Sequence, residues 1–381
     1  MEELMNILNR HSTEHYYNCC YNDLNIDEPI IIYGAGYCGA MVCELMQDNG
    51  MEPVCFFDKN KLKHETVIMG VQVQQPETLK NAHKYLVVVC MLQKGSLYDE
   101  IKNYILGLGY LKVIHITDLR NNKRLFSTQK LLISPDVQFI KDNADNIEKV
   151  YESLSDNDSK ETYLKIMEYL GDNINIAIPA LPLQQQYFAY DTYCKSDNEV
   201  FIDCGAFKGE VMDTFLRNND FCFSNYFAIE PDPQYIKVLE QKKSKYNEDR
   251  VRIVHCALSN STGVVGIQNY GNENSVICSD GGAEVDCNTL DGLLSNIWPT
   301  FIKIDVEGFE QRVLAGADFI IRNCKPVLAV AIYHTEKDFW EIPLIIKEKY
   351  PFYSLYVRSY MNIHETILYA VPENRMVQHQ K

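Results

Sequence analysis

The chain has 381 residues, 23% of them charged and 46% hydrophobic, enough for two or three domains with proper cores. Its formal charge of −16 repels phosphate backbones and anionic lipid, which sets nucleic acid aside as a main partner. Thirteen cysteines, scattered through apolar runs with no C-x-x-C pair, argue against a zinc site and a disulfide framework and for a reducing, cytoplasmic compartment.

MEELMNILNR is acidic and no apolar run follows it, so a signal peptide is not expected. No apolar run approaches the ~18 residues of a membrane span, and membrane insertion is not expected. Residues 1–28 read as a short amphipathic helix (Leu4, Ile7, Leu8) and a linker. Strand-like and helical runs then alternate. Strands are expected at 30–33, 53–57, 85–90 and 112–116, with helices at 40–49 and 97–107. Such alternation means parallel βαβ units, so residues 29–118 form a small Rossmann-like α/β domain. Residues 119–195 lack clear strands. A helix over 146–170 and the polar, aromatic LPLQQQYFAYDTYC (181–194) read as a helical connector and a lid.

From residue 196 the alternation restarts. Strands are expected at 200–203, 226–230, 251–256, 301–305 and 327–334, then at 352–358 and 365–371. The last two are separated by a short polar stretch and read as an antiparallel hairpin.

Each half opens with a glycine loop after a strand. In the first, YGAGYCG, Gly34, Gly36 and Gly39 complete G-x-G-x-x-G, and Asp58 stands 19 residues after Gly39, where a ribose-binding acid belongs. No dehydrogenase-like catalytic set follows it. In the second, FIDCGAFKGE, Gly205 and Gly209 let the backbone approach a ligand, and Glu230 ends the next strand, placed to accept hydrogen bonds from both hydroxyls of a ribose. That pattern suits a nucleoside and does not choose between NAD and S-adenosylmethionine.

Further along, Asp305 tips the strand FIKID, Glu307 follows two residues later, and His334 closes AVAIYH. Two carboxylates and an imidazole can converge there. A hydroxyl acceptor must lose its proton, and a buried carboxylate or histidine is the usual base. Either Asp305 or His334 serves as base, with Glu307 orienting the substrate. The bland readings are a structural histidine and acids that cap the following helix. The three groups could also bind a divalent metal, which the spacing does not demand, and none is expected. Lys303 and Arg358, with tyrosines around the latter, are candidate substrate contacts.

The ordered set FIDCGAFKGE, YFAIEPDP (226–233), HCALS (255–259), NTLD (288–291) and FIKIDVEGFEQRVLAGA (301–317) resembles the FkbM family of S-adenosylmethionine-dependent O-methyltransferases, over about 185–372. The resemblance implies a class I methyltransferase domain over 196–381, a seven-stranded sheet whose last strand is antiparallel and inserted. It implies that Gly205, Ala206 and Gly209 cradle the methionine and sugar of S-adenosylmethionine. Asp203 then faces its amino group, Glu230 holds the ribose, Ala257 contacts the adenine, and Tyr187 belongs to a segment folding over the cofactor. The family's loop often continues with an acid and threonine, whereas Val211-Met212 follow Glu210 here. YGAG, FFDKN, MGVQV and PETL over 29–118 are similar to small Rossmann-like domains of bacterial polysaccharide-biosynthesis proteins. That implies nucleotide or nucleotide-sugar binding, or a domain that only docks a partner or makes an oligomer.

The sequence thus points to methyl transfer onto a hydroxyl of a small molecule or glycan, with a sugar in polysaccharide or glycoconjugate biosynthesis as acceptor. The rivals are an NAD-dependent sugar-nucleotide enzyme and a non-catalytic nucleotide-binding scaffold. Tyr16, Tyr235 and Tyr246 lack the lysine four residues on that the first rival needs. A nucleic-acid methyltransferase is disfavoured by charge and by the absence of an N-P-P-Y-type tetrapeptide.

Overall fold

A computed structural model describes residues 28–91, 96–116, 137–172, 178–218, 222–246, 248–269, 275–278, 283–360 and 363–377. The helix and linker expected over 1–28 lie outside the described residues except for residue 28, as does the start of the connector, 119–136. Two compact units emerge: Met1–Asp142 with Met167–Ala177, and Asn143–Ile166 with Ile178–Lys381. Among the described residues no helix is long and apolar enough to cross a membrane.

In the first unit IIIY forms β1 (Ile30–Tyr33), buried at every position. A strand apolar on both faces belongs in the middle of a parallel sheet. It pairs parallel with β2 (Cys55–Phe57) on one side. Further along the chain come the short hairpin β3 (Val67–Ile68) and β4 (Val71–Gln74), then β5 (Leu86–Val89), which flanks β1 on the other side, and β6 (Lys112–His115). The order is β3-β4-β2-β1-β5-β6, and only the β3–β4 contact is antiparallel. Helices α1 (Tyr37–Asp48), α2 (Ser96–Gly107) and α3 (Val137–Asp142) complete the described elements. Ile30 and Ile32 enter one apolar cluster and Ile31 and Tyr33 another, as the strand's period of two requires.

The stretch expected as a free connector is divided between the units. The expected single helix over 146–170 is two, α4 (Ala144–Ser153) and α5 (Asn157–Asp172). Leu154 turns extended between them, and the Asp156 carboxylate accepts the Ser159 amide at 2.8 Å. An Asx cap of this kind starts a new helix more cheaply than continuing the old one. The stretch 181–194, expected as a lid, is packed through its aromatics. Phe188 stacks on Phe201 and Tyr193 on Tyr369, and Tyr193 lies tilted against Phe301. These aromatics join Phe215 and Tyr226 in one buried cluster.

The second unit carries β7 (Val200–Cys204), α6 (Glu210–Asn218), β8 (Asn225–Glu230), α7 (Pro233–Tyr246) and β9 (Val251–His255). Next come β10 (Ala257–Leu258), β11 (Gly263–Asn269), β12 (Ser275–Cys278) and β13 (Ala283–Asn288), which form a four-stranded sheet of their own, ordered β10-β13-β11-β12. The sequence had not announced this sheet, because its strands follow one another without the intervening helices that marked the others. After α8 (Leu290–Leu293) follow β14 (Phe301–Ile304), α9 (Glu310–Ala315), α10 (Asp318–Cys324), β15 (Val327–Ala331), α11 (Asp338–Lys349), β16 (Tyr353–Ser359) and β17 (Thr366–Pro372). The main sheet runs β16-β17-β15-β14-β7-β8-β9. The closing hairpin places β17 antiparallel to both β15 and β16, as the class I methyltransferase arrangement requires. The fold is mixed α/β in both units.

Arg358 is not a substrate contact. It is 4% exposed and takes Asp191 at 2.8 Å, Asp156 at 2.6 Å and Ser159 Oγ at 2.8 Å. Its guanidinium therefore fastens the 181–194 stretch and the cap of α5 to β16. Leaving two carboxylates without it is costly. Arg358→Ala should lower the unfolding free energy by about 3 kcal/mol, read as a drop in the denaturation midpoint of the full chain.

Candidate active site

The crevice lies at the carboxyl ends of β7, β8 and β14, where open parallel sheets bind ligands. It begins with Gly205, whose φ is +82° and whose Cβ, were there one, would stand 1.9 Å from the Asp305 carbonyl oxygen. Only glycine lets the loop after β7 pass this close to the loop after β14. The Gly205 and Ala206 amides both donate to the Ile229 carbonyl, at 3.0 and 3.1 Å. This ties the loop to β8 beside Glu230.

Lys303 sits beneath the loop, 2% exposed. Its Nζ donates to the Gly205 carbonyl at 2.5 Å and the Cys204 carbonyl at 3.3 Å, and pairs with Asp203 at 3.0 Å. Burial pulls the ammonium's pKa down, but the Asp203 and Asp305 carboxylates outweigh it and raise the pKa above the ordinary lysine value. Its three protons are thereby used within the protein, so Lys303 borders the cavity without a donor to offer a substrate. Asp203 is likewise not turned toward the cavity: Lys303 and the Tyr226 hydroxyl take its carboxylate. The expected amino-group contact is corrected on that ground.

Beyond β14 four ionisable side chains meet. His334 Nε2 stands 3.4 Å from Asp305 Oδ1 and 3.4 Å from Glu307 Oε2, and its Nδ1 stands 3.0 Å from Glu310 Oε1. Asp305 also accepts the Tyr187 hydroxyl, and Tyr333 OH lies 3.4 Å from both its oxygens. Burial pushes Asp305 up, but Lys303, His334 and the two phenols hold it below its usual value. Burial, then the Asp305 and Glu310 charges, raise Glu307. For His334 burial works downward and the Glu310 hydrogen bond and three carboxylates work upward, bringing it to about 10. At neutral pH the ring is an imidazolium and has no lone pair, so it is not the resting base. One donor atom each from Asp305, Glu310 and His334 lie within 4.8 Å of one another. The acids approach opposite ring nitrogens, however, so the set reads as a cation paired with carboxylates on both edges.

A cavity of about 270 Å³ joins the two regions. At one end stand Glu230, Ile229, Pro231, Cys256, Leu258 and the edge-to-face pair Phe207–Tyr235. At the other stand Gln186, Tyr187, Asp305, Glu307, Tyr333 and Glu365. Glu230 accepts the Phe207 amide at 2.8 Å and the Asp232 amide at 2.9 Å, one on each oxygen, and burial pushes it up to about 7. Gln186 donates to Glu365 at 2.6 Å. Tyr187, Phe207 and Glu307 all take left-handed φ values, +65°, +48° and +54°, and such strain gathers at functional sites.

Residues 203–366 match the family model "Methyltransferase FkbM domain". Over this stretch the chain is similar to FkbM methyltransferase domains. A methyltransferase FkbM from Methylobacillus flagellatus KT shares the fold, with a TM-score of 0.75 at 18% identity over 97% of this chain and 98% of that one. A precorrin-6y C5,15-methyltransferase from Geobacter metallireducens GS-15 superposes with a TM-score of 0.31 at 14% identity over 47% of this chain and 82% of that one. No curated protein matches the chain.

The cavity gathers Gly205, Ala206, Glu230, Tyr187, Lys303, Asp305 and Glu307, with His334 behind the last two. Gly209 and Ala257 are outside its wall. Gly209 donates its amide to the Ala206 carbonyl where α6 begins. Ala257 is committed to pairing with Cys287, and its neighbours Cys256 and Leu258 face the cavity. Tyr333 and Glu365 went unread in the sequence, having no motif of their own, whereas Gln186 stood beside Tyr187 in the segment expected to fold over the cofactor. Glu310 stood in the motif IKIDVEGFE as its last residue and was passed over for the two acids before it.

In the first unit the glycine loop is closed on itself. A Cβ on Gly39 would stand 1.9 Å from the Gly34 carbonyl oxygen, and Gly36 has nothing within 4 Å of its missing Cβ. Asp58 accepts the Ala35 amide at 2.9 Å and pairs with Lys63 at 3.3 Å. Its carboxylate thus braces its own loop, a departure from the expected ribose contact.

Gly205→Ala should cost more than about 1 kcal/mol in stability, since both the positive φ and the Asp305 carbonyl resist a methyl group. Ala206→Gly should leave stability within about 1 kcal/mol. Parallel thermal melts of the two variants check this.

Proposed function

We propose that the FkbM domain binds S-adenosylmethionine and transfers its methyl group to a hydroxyl, with a sugar or sugar-like polyol in polysaccharide or glycoconjugate biosynthesis as acceptor. The observation that carries the reading is a single cavity joining two unlike ends. One end has a buried strand-end carboxylate among apolar and aromatic walls. The other has two carboxylates ringed by phenol, amide and imidazolium groups.

The residues fit the cofactor. Glu230 has each oxygen singly engaged by a backbone amide, which leaves lone pairs for the two hydroxyls of a ribose. Phe207, Tyr235, Ile229 and Leu258 supply a slot for a flat base. The carboxylates at the far end suit a cationic group. When bound, S-adenosylmethionine supplies an activated methyl group on a sulfonium.

The acceptor's proton is the protein's task. Asp305 is already engaged by Tyr187, Tyr333 and His334, whereas Glu307 faces the cavity with His334 alone. We therefore assign Glu307 as the base and Asp305 as the group that orients the hydroxyl. As the new carbon–oxygen bond forms, the hydroxyl proton becomes strongly acidic, so an ionised carboxylate suffices to take it. A cavity end rich in carboxylate, amide and phenol groups suits a polyhydroxylated acceptor. The likeness of residues 29–118 to polysaccharide-biosynthesis domains supports a sugar, with a nucleotide-sugar as one form it takes. Such an acceptor would place the enzyme in the cytoplasm.

The first test is calorimetric. S-adenosylmethionine should bind saturably to the full chain and fail to bind Glu230→Ala; no binding to the wild type would sink the reading. The sign with pH follows from Glu230. Only its ionised form accepts both hydroxyl protons, and its midpoint is about 7. Affinity should therefore tighten about tenfold from pH 6 to pH 8 and stay flat in Glu230→Gln. With an acceptor in hand, Glu307→Gln should lower kcat by about 100-fold or more, with cofactor affinity preserved.

A further inference from the structure

Glu310 is 1% exposed, yet it is an acid at the first position of a helix, where acids ordinarily sit in solvent. Its Oε1 accepts the Val306 amide at 2.9 Å and the Gly308 amide at 3.3 Å, and lies 3.0 Å from His334 Nδ1. The two amides belong to the turn that holds Glu307, between Asp305 and α9. One oxygen thus touches both the turn and the ring that faces its acids.

We infer that Glu310 is the positioning residue of this site, its carboxylate paired as an ion with the Nδ1 edge of His334 so that Nε2 is presented to Asp305 and Glu307 as a fixed cation. The role in methyl transfer rests on the function proposed above; the orientation of the ring does not.

A simple helix cap does not account for these contacts. A neutral acceptor such as glutamine would satisfy the two amides equally well, but it would not hold an imidazolium. Glu310 Oε2 is buried with no hydrogen-bond partner among the described residues. A side chain kept only to brace a turn would not carry that cost. The charge balance shows what the arrangement achieves. Asp305 and Glu307 follow β14, Glu365 precedes β17, and Tyr333 follows β15, all facing the same end of the cavity. Asp338 of α11 adds a further acid near Glu310. Lys303 reaches this group from β14, but its protons are spent on Asp203 and the glycine loop. His334 is the cation that touches both Asp305 and Glu307. Held charged, it keeps two neighbouring carboxylates ionised at once, which like charges otherwise resist. A carboxylate on one ring nitrogen that directs the other is the device by which histidines are commonly oriented.

The experiment is a pH titration of the full chain with ¹³C,¹⁵N-labelled histidine, the His334 signal being assigned by its loss in His334→Gln. Wild-type His334 should titrate more than two units above an ordinary histidine, and its neutral form should carry the proton on Nδ1. Glu310→Gln should lower the midpoint by at least one unit. Glu310→Ala should in addition move the neutral proton to Nε2. A wild-type ring that titrates as an ordinary histidine, or one protonated on Nε2 when neutral, overturns the inference. So does an unchanged midpoint in Glu310→Gln. Should Glu310→Ala not fold, the wild-type tautomer and the glutamine variant decide alone. S-adenosylmethionine calorimetry on the same samples keeps the two claims apart. Absent binding to wild type strikes the proposed function, whereas the spectra strike or sustain the role of Glu310 whatever binds.

Discussion

The buried ammonium of Lys303 is the interaction on which the second unit's crevice depends. It is out of water, and it is tolerable there only because Asp203 and two carbonyls take its three protons. Those partners belong to β7 and the loop that follows it, whereas Lys303 belongs to β14. One cation therefore fixes the glycine loop against the strand that delivers Asp305. The Tyr187 ring lies over the same ammonium at 5.2 Å, a cation–π contact, and its hydroxyl reaches Asp305. The segment expected to fold over a cofactor is thus anchored from below by charge and from above by the aromatic cluster around Phe201.

From this anchor the ionisation of the site follows. Asp305 sits between two cations, one shared with the glycine loop and one held by Glu310, and stays ionised although buried. Glu307 has His334 beside it as well, but burial outweighs that support and pushes it up. Two carboxylates two residues apart in sequence thereby acquire different proton affinities, which is how one site separates orienting from proton-accepting duties. Glu230, at the opposite end, is raised chiefly by burial. The cavity runs from one carboxylate raised by burial to another, with the glycine loop between.

Much of this was legible in the sequence, and the exceptions share a cause. Strand positions such as Ile30–Tyr33 and Val200–Cys204 declared themselves by apolar runs between glycine loops, and the closing hairpin by its spacing. Asp305, Glu307 and His334 converge because they end or follow adjacent strands, which an α/β alternation makes predictable. What a linear reading could not supply was which charged groups satisfy one another. Asp203, Lys303 and Arg358 carry the residue types of ligand contacts, but each is consumed by a partner remote in sequence. His334 looked like a base because an isolated imidazole is neutral near pH 7, and its three acid neighbours are visible only in space. The β10-β13-β11-β12 sheet was missed for a simpler reason. Its strands carry no motif and are not separated by helical runs, so the α/β alternation did not reveal them.

The placement of β17 bears on how the crevice comes to exist at all. The last described strand lies inside the sheet, between β15 and β16, and Glu365 at its start borders the cavity. A chain that has ordered everything up to β16 therefore still has an open slot in its sheet and an incomplete binding wall. Assembly must bring residue 366 against residue 332 and residue 372 against residue 353, and the first of these rewards little until β15 is already seated. Such non-local closure is slow relative to helix formation. Maturation of the pocket is then a late event in folding, and a chain halted short of it would be largely structured but without a finished place for its ligands.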